Sequence, residues 1–191
     1  MTPAIAPDAV AAAFAAQPRA TFLPPEQRPY ADHDGPLPIG CGQTNSQPRT
    51  VAAMLRLLDL APGQRVLDVG AGSGWSTALL AHLVGLTGEV HGVELEPELV
   101  RLGAANLAAT HQPWARIVAA EPGVPGAPAL APFDRILVSA QARELPQALV
   151  EQLGEGGVMV IPVDGVMQRV QRHGAAVRVT RHGEYRFVPL R

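Results

Sequence analysis

The stretch RVLDVGAGSGW, residues 65–75, constrains the fold of this chain more than any other. RVLDVG reads as a buried strand, and WSTALLAHLVG (75–85) follows with a helical apolar pattern. Between them, Gly70, Gly72 and Gly74 let the backbone turn tightly and approach a ligand at the helix N-terminus. The alternation then continues. EVHGVEL (89–95) predicts a strand and PELVRLGAANLAAT (97–110) a helix. ARIVAAE, FDRILVSA and GVMVIPV predict further strands, with a helix at 144–153 before the last. Strands separated by helices of this length imply βαβ units and a parallel sheet with helices on both faces.

The end of the chain departs from that pattern. MQRVQRH and VRVTRHGEYRFVPL have no helix between them, which predicts an antiparallel strand pair. Upstream, residues 9–16 predict a short helix, and Pro18 to Gly42 is punctuated by proline. A helical pattern starts near Ser46, places Val51, Met54, Leu55 and Leu58 on one face, and stops at Pro62-Gly63. The expected class is therefore α/β: a seven-stranded, mostly parallel, Rossmann-like sheet with an antiparallel C-terminal pair. No linker interrupts it, so residues 1–191 are expected to form a single domain, with 1–45 as an N-terminal helix and covering loop.

The glycine turn also indicates a ligand. A dinucleotide fingerprint would need a further glycine where Trp75 stands, so that form fails. Glu94 ends the second strand, twenty residues past Gly74, where an acid can accept hydrogen bonds from ribose hydroxyls. A glycine turn with that acid predicts adenosine without a pyrophosphate, as in S-adenosylmethionine. Asp68 either orients the turn or is buried to hold its structure.

Composition removes several other classes. A formal charge of −2 gives no global attraction to nucleic acid or to an anionic membrane. No apolar run approaches the roughly 20 residues that span a bilayer. MTPAIAPDAVAAAF lacks the positive charge of a secretion signal, so a cytoplasmic protein is expected. All 15 basic residues are arginine, and those between Arg169 and Arg191 form a basic stretch with Glu184 its one acid. Such a face either meets acidic peptides or is simply solvated. Cys41 stands alone, the six histidines lack ligand spacing, and neighbouring Asp32, His33 and Asp34 diverge, so no disulfide or metal is expected. No G-x-S-x-G nucleophile elbow occurs.

A wider pattern joins these pieces. PLPIGCGQTNSQP (36–48) with its helix, RVLDVGAGSGW, PFDRILVSA, LPQALVEQLGEGGVMVIPV and FVPL together resemble the protein-L-isoaspartate O-methyltransferase family, in register from about Pro18 to Leu190. The GQTxSQP element is far more specific than the glycine turn. The resemblance implies a carboxyl O-methyltransferase that uses S-adenosylmethionine, releases S-adenosylhomocysteine, and repairs L-isoaspartyl residues in peptides and proteins as a cytoplasmic monomer. It assigns activity to Ser46, and the acceptor wall to Asn45 and Ser46. Gln43 and Thr44 would cover the methionine end of the cofactor. Asp68, Gly70, Gly72, Gly74, Glu94 and Glu121 would hold the rest of it, and Val188, Pro189 and Leu190 would offer backbone to the peptide. Ser46 before Gln47-Pro48 also reads as a helix N-cap, and both roles stay open.

Three positions depart from the family pattern. Asn45 stands where an apolar residue is usual, so Asn45→Ile is expected to restore an apolar wall and raise activity. Ala120-Glu121-Pro122 replaces Gly-Asp-Gly, leaving Glu121 for the adenine amino group and, at Pro122, no amide for the ring. Ser139-Ala140-Gln141 replaces Thr-Ala-Ala, which would narrow that wall. Two other functions therefore stand beside the first: a specialised relative that methylates aspartate in one precursor peptide, and a non-catalytic cofactor-binding module. A nucleic-acid acceptor lacks its Asn/Asp-Pro-Pro-aromatic element.

Overall fold

The computed structural model describes residues 8–191, so the first half of the stretch read against a secretion signal lies outside the described residues. Helix α1 (Asp8–Ala16) precedes two short 3-10 turns and a hairpin of β1 (Leu37–Gly40) and β2 (Gln43–Asn45). Helix α2 (Pro48–Leu58) leads into β3 (Arg65–Val69), α3 (Trp75–Val84), β4 (Glu89–Glu94), α4 (Pro97–Ala108) and β5 (Ala115–Ala119). Then come β6 (Phe133–Val138), α5 (Gln147–Val150), β7 (Leu153–Val163), β8 (Val166–His173) and β9 (Ala176–Glu184).

The seven strands β3 to β9 form one sheet in the order β5-β4-β3-β6-β7-β8-β9. The first five are parallel, and β8 and β9 add antiparallel, as the loss of helical pattern after Val163 predicts. Alternation along the strands divides the core. Val66, Leu137, Val158 and Val160 face helices α1 to α4, with Val51, Met54, Leu55 and Leu58 of α2 packed against them. Leu67, Val69, Ile136, Val138, Met159 and Ile161 face the other way, onto Leu149 and Val150 of α5. That second face carries less helix than predicted, because the pattern at 144–153 yields only the four residues of α5. Pro146 is its N-cap and β7 starts at Leu153, so the segment has no room for more turns.

Two boundaries differ from expectation. LPIG and QTN form strands with Cys41-Gly42 as the turn, where a loop is predicted. β9 ends at Glu184, and residues 185–191 leave the sheet edge and run back to the end of β6.

Candidate active site

Strand order reverses beside β3, and a cavity of about 290 Å³ opens there, at the C-terminal ends of β3, β4 and β6. Open α/β sheets bind ligands at this switch point. Gly70 and Gly72 line it with φ of +79° and +53°, a backbone that side chains rarely adopt. Gly74 serves a different purpose. A Cβ there would meet the Gly103 carbonyl at 2.8 Å, and one on Gly103 would meet the Gly72 carbonyl at 2.6 Å. The third glycine thus lets α4 seat against the turn and does not form the cavity wall.

The acids divide likewise. Asp68 is fully buried behind the turn, where its Oδ2 accepts from the Ser76 and Thr77 hydroxyls at 2.7 Å each. Burial pushes its pKa up to about 6. Its carboxylate holds the turn to the start of α3 and is not part of the cavity wall, a geometry that suits orienting the turn. Glu94 does line the cavity. Its Oε2 accepts from Gly72 N at 2.9 Å, and its Oε1 from Leu95 N and Glu96 N at 2.8 and 3.0 Å. Those bonds fix the carboxylate and leave about one of its roughly four acceptor positions for a ligand. Glu121 follows β5 and lines the cavity with Val124, Pro125 and Gly126, whereas Pro122 lies outside the wall.

Strand β1 lies against the glycine turn, for the Ile39 side chain is 3.1 Å from where a Gly72 Cβ would stand. Gln43, Thr44, Asn45 and Ser46 all line the cavity. Gln43 also donates back to the Cys41 carbonyl at 3.4 Å. Asn45 is buried, with Oδ1 2.7 Å from Arg19 Nε and Nδ2 3.2 Å from Ser73 Oγ. Ser46 is not the cap of α2: Gln47 holds that position, and no side chain caps it.

A second cavity, of about 670 Å³, adjoins the first. Thr44, Ser46, Ser139 and Val188 belong to the walls of both, so Ser46 stands where the two spaces meet. Tyr185, Arg186 and Phe187 extend the second cavity outward. Val188, Pro189 and Leu190 line the first, but part of their backbone is already engaged. The Val188 carbonyl accepts from Gln141 N at 2.7 Å, and Leu190 N donates to Gln141 O at 2.8 Å. Gln141 therefore clamps the tail instead of narrowing the wall, which Ser139 and Ala140 form.

Arg19, Ser73 and Trp75 escape sequence reasoning. Arg19 is buried, donates to the carbonyls of His33, Gly35, Asn45 and Ser46 at 2.8–2.9 Å, and lies 5.6 Å from the Trp75 ring centroid. Trp75 Nε1 donates to Gln17 O at 2.9 Å. No local pattern marks partners that lie 26 or 58 residues apart in sequence. Among the described residues no group of three or more His, Cys, Asp or Glu is placed to hold a metal. No helix there is long and apolar enough to cross a membrane.

A parallel sheet with antiparallel edge strands, and a glycine-turn cavity at its switch point, define the class of Rossmann-like S-adenosylmethionine-dependent methyltransferases. Within that class, residues 2–191 match the model of the protein-L-isoaspartate(D-aspartate) O-methyltransferase family, and the chain belongs to it. It is 46% identical over 187 residues to the protein-L-isoaspartate O-methyltransferase of Methanopyrus kandleri, covering 95% of this chain and 82% of that one. The Pyrococcus horikoshii enzyme is 40% identical over 184 residues, 93% of this chain and 82% of its own. A Plasmodium falciparum protein assigned to the same methyltransferase type, solved with S-adenosyl-L-homocysteine, superposes with a TM-score of 0.86 at 28% identity, over 96% of this chain and 90% of that one.

Proposed function

We propose that the chain transfers the methyl group of S-adenosylmethionine to the side-chain carboxylate of an L-isoaspartyl residue in a peptide or protein. The observation that carries this reading is the meeting of two cavities at Ser46. The smaller suits the cofactor: its positive-φ glycines allow close approach of an adenosine, and the fixed Glu94 carboxylate keeps an acceptor position for a ribose hydroxyl. The larger, beside the exposed tail, suits an extended acceptor.

S-adenosylmethionine, when bound, supplies an electrophilic methyl on a sulfonium. A carboxylate is ionised near pH 7, so no residue has to remove a proton. With the cofactor bound, the O–CH3 bond would form as the C–S bond broke, and the electron pair would stay on the sulfur of the product. The chain's task is alignment and removal of water from the attacking oxygen. Thr44 and Ser46, in both walls, have hydroxyls suited to orienting that oxygen, with Gln43 beside them. Glu121 suits the adenine end, and Val188 to Leu190 contribute side chains and their remaining backbone groups. The acceptor is then a peptide or protein, not nucleic acid or membrane, and the working unit a cytoplasmic monomer.

Paired peptides identical except for isoaspartate or aspartate test this. Labelled methyl should appear as a base-labile ester on the isoaspartyl member and exceed its twin. Equal labelling of both would favour the specialised aspartyl relative. No labelling of either, with S-adenosylhomocysteine still bound, would leave a non-catalytic binding module.

A further inference from the structure

Among the described residues, no carboxylate meets the guanidinium of the buried Arg19. Its hydrogen bonds there go to neutral oxygens: the carbonyls of Ala31, His33, Gly35, Asn45 and Ser46, and Oδ1 of Asn45. A guanidinium has donors only, so the Asn45 oxygen must face it and the Asn45 amide nitrogen must face away. That nitrogen meets Ser73 Oγ at 3.2 Å, inside the glycine turn. The turn is held from its far side by Asn106 of α4, whose Nδ2 donates to the Ser73 carbonyl at 2.9 Å. The Asn45 side chain is thus a direct hydrogen-bonded link between the segment bearing Thr44 and Ser46 and the turn bearing Gly70 and Gly72. An apolar residue at 45 could make neither bond and would leave the Arg19 Nε unpaired in a buried position.

We propose that Asn45 is a positioning residue: through Arg19 on one side and Ser73 on the other, it fixes the acceptor loop relative to the cofactor turn, so that the two bound partners meet in register. This rests on the proposed reaction, which gives the two sites their contents. It also reverses the expectation for Asn45→Ile, which should lower turnover and not raise it.

The test is a double-mutant cycle on the full chain with Asn45→Ala, Ser73→Ala and both together, read in two ways. In hydrogen exchange with S-adenosylhomocysteine saturating, each single variant should speed exchange of the amides of residues 43–46 about three- to tenfold, the worth of one hydrogen bond. The double variant should be no faster than the worse single. In methyl transfer to the isoaspartyl peptide, kcat should fall about tenfold in each, because alignment is lost. S-adenosylhomocysteine affinity should stay within about threefold, less than one full hydrogen bond. Additive losses in the double variant, or unchanged exchange in either single, would overturn the proposal. Unlabelled peptide with wild-type protein would sink the reaction instead, and the exchange arm would still decide the link between loop and turn.

Discussion

Asp68 shows how much one buried side chain governs here. Its carboxyl is raised from 3.8 to about 6 by burial, which opposes the two hydroxyls donated to it. Between about pH 4 and 6 the folded state therefore holds a proton that the unfolded state has released, and stability falls as pH rises through that window. The full loss stands above pH 6, and the change in pKa corresponds to about 3 kcal/mol. Asp68→Asn does not titrate, so its melting temperature should gain several degrees on wild type between pH 4 and 7, measured without ligand. A constant difference across that range would mean Asp68 does not ionise as its burial implies. Glu94 offers a second check. Glu94→Ala should weaken S-adenosylmethionine and S-adenosylhomocysteine alike by about tenfold or more, as loss of a hydrogen bond to a charged group predicts. A change under about threefold by calorimetry, less than such a bond is worth, would remove it from the cofactor site. The place of Glu94 in the cavity wall is legible in sequence because the end of a strand fixes where an acid points. The role of Arg19 is not, because its partners gather only when the N-terminal segment folds over the loop.

Among elements, those with a clear period are the ones a sequence reveals. The α2 stripe of Val51, Met54, Leu55 and Leu58 is buried as its spacing predicts. The β1–β2 hairpin is hidden, since its strands have four and three residues and carry Pro38 and Gly40. What defines it is tertiary: Leu37 and Ile39 pack with Leu23 and Leu99, so the hairpin needs α4 beneath it. α4 in turn depends on a close approach to the glycine turn, where a Gly103 Cβ would come within 2.6 Å of the Gly72 carbonyl. Gly103→Ala should therefore cost about 1–3 kcal/mol, as overpacking does, and weaken S-adenosylhomocysteine by displacing the turn. Thermal melts and calorimetry check both. Wild-type values in each would show that the helix can shift without moving the turn.

For the molecule as a whole, the order of strands places the cofactor cavity, and the reversal after β7 brings the tail back to it. The basic C-terminal stretch reads in sequence as a face that either meets acidic peptides or is solvated, yet part of it caps helices. Arg169 donates to the Leu57 carbonyl near the end of α2, and Arg172 to Glu151 at the end of α5. Arg191 pairs with Glu96. Charge counted along a chain cannot distinguish a guanidinium bound to carbonyls from one left for a partner. The site is governed by where the two cavities join, and Ser46 at that junction carries the central claim. The most direct measurement is the single-turnover rate of methyl transfer in Ser46→Ala with S-adenosylmethionine and isoaspartyl peptide both saturating. The rate should fall about tenfold or more through lost alignment, while the melting temperature keeps its wild-type value, because Ser46 does not cap α2. A wild-type rate would contradict the account, most plainly if the variant also lost the roughly 1 kcal/mol of stability expected from removing a cap.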